Sequence, residues 1–261
     1  MPFNQVDGVR YFSFESLSRA GIGHAVFTRQ GGVSQAPWAS LNLGGTVGDA
    51  AEHVAENRCR ALRAMGSDPQ TVYDVWQVHS ADVVHAHAPR PAHEPHARAD
   101  AIITNRPGIT LLMRFADCVP ILLYDPLCNV VGLAHAGWMG TVKGVARAVV
   151  ERMHKDYGCR PGDILAAIGP SIGPDHYEVG PDVVAQVNHA FGADAEGLLL
   201  RTNGAVKFDL WAANRHLLEQ AGVRQVEVAG ICTACHLEDW FSHRAEKGKT
   251  GRFGAAIKLE G

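Results

Sequence analysis

The chain has 261 residues, of which 46% are hydrophobic and 20% are charged, a balance typical of a packed globular protein and unlike that of a disordered chain. Its 24 basic and 27 acidic residues give a net charge of −3, which argues against a strongly basic protein that binds nucleic acid. The sequence shows no apolar run of about 18 residues and no secretory signal pattern, so we expect a cytoplasmic protein without a membrane partner.

Hydrophobic periodicity predicts a helix and then several strands in the first half of the chain. The helix is predicted to open at Asp49 and to stop at Gly66, with Val54, Leu62 and Met65 along one face. Residues 85–100 are rich in Pro, Ala and His and predict a surface loop. After this loop come three strand-like apolar runs, ITLLMRF, VPILLYD and NVVGLAHA.

The second half alternates helix-like and strand-like segments. One helix is predicted after HAGWMG and runs to Gly158, and another opens at Asp209 and ends at Gly222. The segments DILAAIG, RQVEVAG and FGAAIKL predict strands. The pattern therefore predicts one α/β (α+β) domain over residues 1–261, with mixed β-sheets layered between helices.

Several motif-like strings carry little weight because their context is wrong. Gly248–Thr250 reads GKT, but it leads into a strand and lacks the first glycine of a phosphate-binding loop. The string Cys232-Thr-Ala-Cys235-His236 resembles a haem-attachment or a redox pair, although two packed thiols near a turn are the preferred interpretation. The loop histidines, which are His85, His87, His93 and His96, are expected to be solvated rather than pre-organised ligands.

Three metal-ligand residues stand where apolar runs meet turns: His79 in VWQVHS, Cys118 in RFADCVP and His135 in LAHAGWMG. Two imidazoles and one thiolate form a zinc-type set that leaves a fourth position for water or substrate. A metal-free nucleophilic pair of Cys118 and His135 and unrelated core residues are the alternatives, and the residues alone leave this choice open.

The chain resembles the YfiH-like, or laccase-domain, family, whose bacterial members were labelled polyphenol oxidases and later reassigned as purine nucleoside phosphorylases. The resemblance extends from about Phe27 to Leu259. It rests on motifs in the family's order, among them FTRQGGVSQAPWASLNLG, QVHSADVV, ADAIITNRPG, ADCVPILLYDP, AHAGWMGTVKGV, GPSIGPDHYEVG and CTACHLEDWFSHRAEKGKTGRFGAAI. It implies a CNF-toxin/YfiH-like fold.

The resemblance assigns zinc to His79, Cys118 and His135, with copper as a possible substitute, and these three are the expected catalytic and metal residues. It implies that adenosine, inosine or S-methyl-5′-thioadenosine reacts with phosphate, and that adenosine deamination is a side activity. Two positions depart from the family, with Met139 and Ala245 where an arginine is usual, which puts one cationic contact at each in doubt.

Five residues are expected to contact substrate. Arg29 and Arg244 are candidate partners of phosphate or ribose, Asn42 and Gln77 could read ribose or base edges, and Asp117 could orient a ligand. Arg58 and Arg252 are further cationic candidates, and Trp138 could stack on a purine or simply pack. The helix amides near Gly140 and Thr141 are the expected anion site. Each of these residues also has an ordinary structural interpretation.

Three other functions stay open at this point. They are a copper-dependent polyphenol oxidase, a metal-free Cys–His hydrolase and a peptidoglycan-editing or binding role. The preferred nucleoside, the oligomeric state and the balance between phosphorolysis and deamination are not determined by the sequence.

Overall fold

Two six-stranded sheets pack face to face in the computed structural model, which describes residues 2–202 and 204–260. The first sheet contains, in spatial order, β1 (Phe3–Val6), β2 (Val9–Phe12), β3 (Gly23–Phe27), β14 (Phe253–Lys258), β7 (Thr110–Phe115) and β4 (Val72–Tyr73). The second contains β13 (Gln225–Val228), β10 (Leu165–Ile168), β8 (Val119–Asp125), β9 (Val130–Ala136), β6 (Ala101–Thr104) and β5 (Val83–His85). A separate hairpin pairs β11 (Leu199–Thr202) with β12 (Ala205–Phe208).

The helices lie outside the sheets. They are α1 (Glu15–Arg19), α2 (Ala51–Ala64), α3 (Trp138–Val142), α4 (Val145–Tyr157), α5 (Pro181–Phe191), α6 (Ala195–Leu198) and α7 (Leu210–Gln220). The pairs β4/β7, β5/β6 and β10/β13 are parallel, whereas the other strand pairs are antiparallel. The predicted α/β class with mixed sheets between helices is confirmed.

The period-two alternation of β8 decides which layer each of its side chains joins. Ile121 and Leu123 point toward a core shared with α4, where they pack in one cluster with Val149. Leu122 and Tyr124 point the other way, into the core between the two sheets. Burial of both faces explains why β8 and β9 read as continuous apolar runs, each buried along its whole length.

The outer face of the first sheet is covered by α2. Phe27, Leu112 and Ala256 of that sheet form a third cluster with Ala61 and Ala64 of the helix. The layers therefore follow one another as α2, first sheet, second sheet, and then a layer containing α4, α5 and α7.

Of the three predicted helix starts, two are wrong and one is confirmed. The first helix has Ala50 as its N-cap, since the Asp49 carboxylate accepts hydrogen bonds from the Ala50 amide and from Ser34 and Asn42 side chains instead. The second helix begins earlier than expected, at Trp138, and is interrupted at Gly144, whose φ of 80° suits glycine. The third opens at Asp209, whose side chain caps the Ala212 amide at 2.9 Å.

Two further features differ from the expectations. Helix α5 was not predicted, although Pro181 at its first turn and the buried Val183, Val187 and Phe191 are standard helix signals. His85 belongs to β5 rather than to the surface loop, because its backbone pairs with β6 opposite Ile103, and its ring lies 2.7 Å from the Asp156 carboxylate. Within the described residues, no helix is long and apolar enough to cross a membrane.

Candidate metal centre and substrate site

His79, Cys118 and His135 come together at one end of β8 and β9, although they are widely separated in sequence. Cys118 directly precedes β8, and His135 lies on β9 opposite Pro120. The Cys118 Sγ is 4.0 Å from the His79 Nε2, and the two imidazole centroids are 5.0 Å apart. One possible ligand atom from each of the three residues lies within 4.8 Å of the others, so the fold brings the three predicted residues together.

Backbone geometry makes this close approach possible. Gly137 lies against the cluster, where a Cβ atom would stand 2.7 Å from the Cys118 Sγ and 3.1 Å from the His79 Cδ2. Any larger residue would push two of the three ligands apart. His79 itself has a φ of 58°, and its carbonyl accepts a hydrogen bond from the Lys143 Nζ at 2.8 Å.

Asp100 contacts the His135 ring and the backbone on both sides of His79, and it was not among the predicted site residues. Its Oδ1 is 2.9 Å from the His135 Nδ1, and its Oδ2 accepts hydrogen bonds from the Val78 and Ser80 amides, which flank His79. The carboxylate is fully buried. A histidine that donates Nδ1–H to a carboxylate presents its Nε2 as a ligand, which is the usual support of a metal-binding histidine.

The charges at the centre are strongly coupled. Burial alone would raise the pKa of the Cys118 thiol, but His135 and His79 lower it to about 6. Burial would lower the pKa of His135, whereas Cys118 and Asp100 raise it to about 9. Burial also opposes ionisation of Asp100, yet the bonds from His135, Ser80 and Val78 hold its pKa at about 2. The two histidines therefore favour the thiolate form of Cys118.

The donor set fits a zinc-class ion. Two imidazoles and a thiolate are common zinc ligands, and zinc binds the deprotonated thiol that this environment favours. His79 and Cys118 are partly exposed whereas His135 is buried, so the cluster is reachable from one side. Three protein ligands with an open side are typical of a catalytic rather than a structural metal site.

The low thiol pKa predicts a specific pH profile for alkylation. In metal-free protein, iodoacetamide labelling of Cys118 should reach half of its maximal rate near pH 6, fall below that pH as the thiol is protonated, and stay high above it. His135→Asn should move the midpoint upward, toward about 8.5, because a nearby positive charge is lost. Labelling followed by peptide mass spectrometry measures the profile.

Cys159 provides the control for this profile, since burial raises the pKa of its thiol and little labelling is expected there. A wild-type midpoint near 8.5 for Cys118 would contradict the charge coupling described above.

Asp117 and Arg244 are brought together beside the centre. The Asp117 Oδ2 accepts a hydrogen bond from the Arg244 amide at 2.7 Å, and its Oδ1 accepts one from the buried Thr233 hydroxyl at 2.7 Å. The Arg244 side chain is exposed, lies 5.0 Å from the centroid of the Tyr177 ring and donates to the Glu178 carbonyl.

Arg252 also lies near the centre. Burial lowers its pKa, while the negative charges of Cys118 and Asp117 act in the opposite direction. Its guanidinium donates to the Thr250 and Gly251 carbonyls. The guanidinium groups of Arg244 and Arg252 therefore both donate to backbone carbonyls, and their roles toward substrate stay predictions.

The other predicted substrate residues have their polar groups engaged within the protein. Arg29 bonds the Ala39 and Leu237 carbonyls and Glu246, and Asn42 is fully buried with both ends of its amide bonded. The Gln77 amide pairs with the backbone N–H and C=O of Arg114. These contacts are structural, and substrate roles for the three stay predictions.

Three secondary candidates are placed as follows. The Arg58 Nε donates to the Leu43 carbonyl, and this half-buried side chain has a lowered pKa because of its burial and the nearby charge of Arg114. Trp138 packs at the edge of the core that contains α4. The predicted anion site is wrong at Thr141, because this residue is buried and its amide donates to the Gly137 carbonyl at 2.8 Å inside α3.

Comparison with known proteins gives a consistent result. The family described as "Multi-copper polyphenol oxidoreductase laccase" matches residues 23–260. A protein of Deinococcus radiodurans named purine nucleoside phosphorylase is 43% identical over 241 residues, which are 91% of this chain and 89% of that protein. One of the same name from Bacteroides thetaiotaomicron is 36% identical over 260 residues, 96% of each chain.

A solved structure agrees with these sequence matches. The crystal structure of the Bacillus licheniformis protein YfiH superposes with a TM-score of 0.92 at 33% identity, covering 99% of each chain. The fold, the order of the motifs and the metal-ligand cluster therefore have one explanation: this chain belongs to the laccase-domain (YfiH) family.

Proposed function

We propose that this protein is a zinc-dependent purine nucleoside phosphorylase with its metal at His79, Cys118 and His135. The observation that carries the proposal is the single His/Cys/His cluster, open on one side and supported by Asp100, in a chain whose relatives are named purine nucleoside phosphorylases. When bound, zinc supplies a Lewis acid at that open position.

The reaction requires phosphate to attack the ribose C1′ while the bond from C1′ to the base breaks and the base leaves with a proton. Phosphate brings negative charge to the centre, and we propose the guanidinium groups of Arg244 and Arg252 as the cations that neutralise it. Asp117, the residue before Cys118, accepts a hydrogen bond from the Arg244 amide and so ties the backbone of Arg244 to this part of the chain. Such positioning supplies much of the rate of a two-substrate reaction.

We further propose that adenosine, inosine and S-methyl-5′-thioadenosine are substrates and that adenosine is also deaminated slowly. The same open position beside the cluster would serve both reactions. Phosphorolysis needs an anion beside the cluster, whereas deamination needs only water, so the two activities separate by their dependence on phosphate.

A product assay tests this function. The purified protein is incubated with each nucleoside, with and without phosphate, while zinc and copper are measured in the same sample. Free base and the matching sugar 1-phosphate should form only when phosphate is present: ribose 1-phosphate from adenosine and inosine, and 5-methylthioribose 1-phosphate from S-methyl-5′-thioadenosine. Inosine should form from adenosine without phosphate. Release of base at equal rates in both conditions would contradict phosphorolysis.

The family's description supports one alternative, a copper-dependent polyphenol oxidase. Copper binds most nitrogen and sulfur sites more tightly than zinc, so this cluster would accept it in vitro. Protein that contains copper as purified and oxidises phenols faster than it cleaves nucleosides would establish the oxidase instead. A metal-free Cys–His hydrolase, including a peptidoglycan-editing role, predicts activity that survives chelation.

A further inference from the structure

A second group of metal-type side chains lies outside the centre described above. The segment Cys232–Cys235 faces a loop that contains Asp175 and His176, and one ligand atom from each of the four side chains lies within 4.8 Å of the others. We propose that Asp175, His176, Cys232 and Cys235 form a second zinc site, here called the CxxC site, with a structural role.

The separations of the donor atoms match a tetrahedral zinc ion. Zinc–ligand bonds of about 2.0–2.3 Å place neighbouring ligands about 3.3–3.8 Å apart. The His176 Nδ1 is 3.7 Å from the Cys232 Sγ and 3.5 Å from the Cys235 Sγ. The Cys235 Sγ is 3.5 Å from the Asp175 Oδ2, which lies 3.0 Å from the His176 Nδ1. Of these four separations, the last has to lengthen by about 0.3 Å, and the remaining two donor pairs lie within 4.8 Å.

The backbone around the CxxC site supports the same interpretation. The Gly173 amide donates to the Cys232 Sγ at 3.2 Å, a charge-assisted contact once the thiol is ionised. A Cβ at Gly173 would stand 2.7 Å from the Asp175 Oδ1 and 3.1 Å from the Cys232 Cβ, so glycine allows the two loops to meet. All six cysteines, including this pair, are free thiols.

The ligand number distinguishes the two sites. Four protein ligands with local C-x-x-C spacing are typical of a closed, structural zinc site, whereas the centre at His79 has three. Zinc binding at the CxxC site would release two thiol protons and replace them with one divalent charge. His236 is not part of the group, because its Nδ1 contacts Glu238 at 3.1 Å.

The location of the CxxC site gives it a role. Thr233 lies between the two cysteines, donates its amide to the Ser171 carbonyl at 3.0 Å and its hydroxyl to Asp117 at 2.7 Å. Asp117 immediately precedes Cys118. An ion at the CxxC site would therefore hold the loop of Asp175 and His176 against the segment Cys232–Cys235. That segment supports the backbone of the cluster of His79, Cys118 and His135, here called the first centre.

Metal counting in the full-length protein tests the proposal independently of catalysis. Mass spectrometric elemental analysis should find two zinc ions per wild-type chain and one in each of Cys118→Ala, Cys235→Ser and His176→Ala. Cys235 and His176 are both exposed, so these variants are expected to fold. Cys59→Ser, a cysteine on α2 outside the metal-type groups of the described residues, is the matched control and should keep two.

Cobalt supplies a second readout. Co²⁺ added to metal-free Cys118→Ala protein should give a thiolate-to-metal absorption band, since the CxxC site keeps both of its thiolates. The band should weaken in the double variant Cys118→Ala/Cys235→Ser. Thiol titration of denatured, unreduced protein after metal removal should find six thiols, in agreement with the six free cysteines.

The outcomes separate this proposal from the proposed function. One zinc per wild-type chain and none in Cys118→Ala would overturn the CxxC site and leave the first centre intact. One zinc in both would support the CxxC site and remove the metal from the first centre. Four thiols instead of six, with a Cys232–Cys235 disulfide identified by peptide mass spectrometry, would also overturn the proposal.

Discussion

Cys118→Ala is expected to lower phosphate-dependent cleavage of purine nucleosides by about a thousandfold or more, the largest effect of any single change considered. Cys118 is one of the three proposed metal ligands, and its loss removes the negative charge that raises the pKa of His135. Metal-ion catalysis contributes several kcal/mol, and each 1.36 kcal/mol corresponds to about tenfold in rate. Initial rates of base release with saturating nucleoside and phosphate measure the effect.

The control for Cys118→Ala is Cys59→Ser, which should keep wild-type activity because Cys59 lies on α2, away from the centre. Circular dichroism of both variants should be unchanged. Activity retained in Cys118→Ala together with a lost zinc ion would remove the metal mechanism, whereas retained activity and zinc would show that two histidines suffice.

Asp100→Asn is expected to weaken metal binding at the first centre by about 10- to 100-fold, with a parallel loss of activity that added zinc restores in part. The carboxylate accepts from the His135 ring and from the Val78 and Ser80 amides. An amide offers one oxygen in place of two, so its NH2 group must face a donor on one side. A competition titration with a coloured zinc chelator measures the change in affinity.

Asp82→Asn is the matched control for Asp100→Asn, because Asp82 is an exposed carboxylate close in sequence to Ser80. It should leave the zinc affinity unchanged. An equal loss of affinity in both variants would indicate general electrostatics, and no loss in Asp100→Asn would show that the His135 ring is held by packing alone, for example against Phe115.

Local signals predicted many elements well. The apolar runs that became β7, β8 and β9 are fully or almost fully buried, and burial on both faces leaves the same continuous pattern in any fold. The helix between Asp209 and Gly222 was predicted with both ends because a side-chain cap and a glycine with positive φ are local features. Asp49 failed as a cap because distant groups, those of Ser34 and Asn42, compete for its carboxylate.

In the candidate sites, too, the residues with local sequence signals could be predicted, whereas contacts between distant residues could not. His79, Cys118 and His135 could be named from their residue types and their positions at strand ends. Asp100 could not be named in this way, although it belongs to the motif ADAIITNRPG. Its contacts with His135 and with the amides on either side of His79 join residues that are 20 to 35 positions apart in sequence. Arg29 and Asn42 had a plausible chemistry for substrate, and only the folded chain shows their groups bonded elsewhere.

The sequence by itself determined the fold class and singled out His79, Cys118 and His135 as candidate metal ligands, because periodicity and residue chemistry are properties of the chain. Tertiary structure alone decided which loops meet. It placed the Asp100 carboxylate against the His135 ring. It also brought Asp175 and His176 next to Cys232 and Cys235, which lie more than 50 residues further along the chain. Contacts between segments so distant in sequence depend on how the two sheets pack, and that packing is the sum of many weak contacts spread over the whole chain.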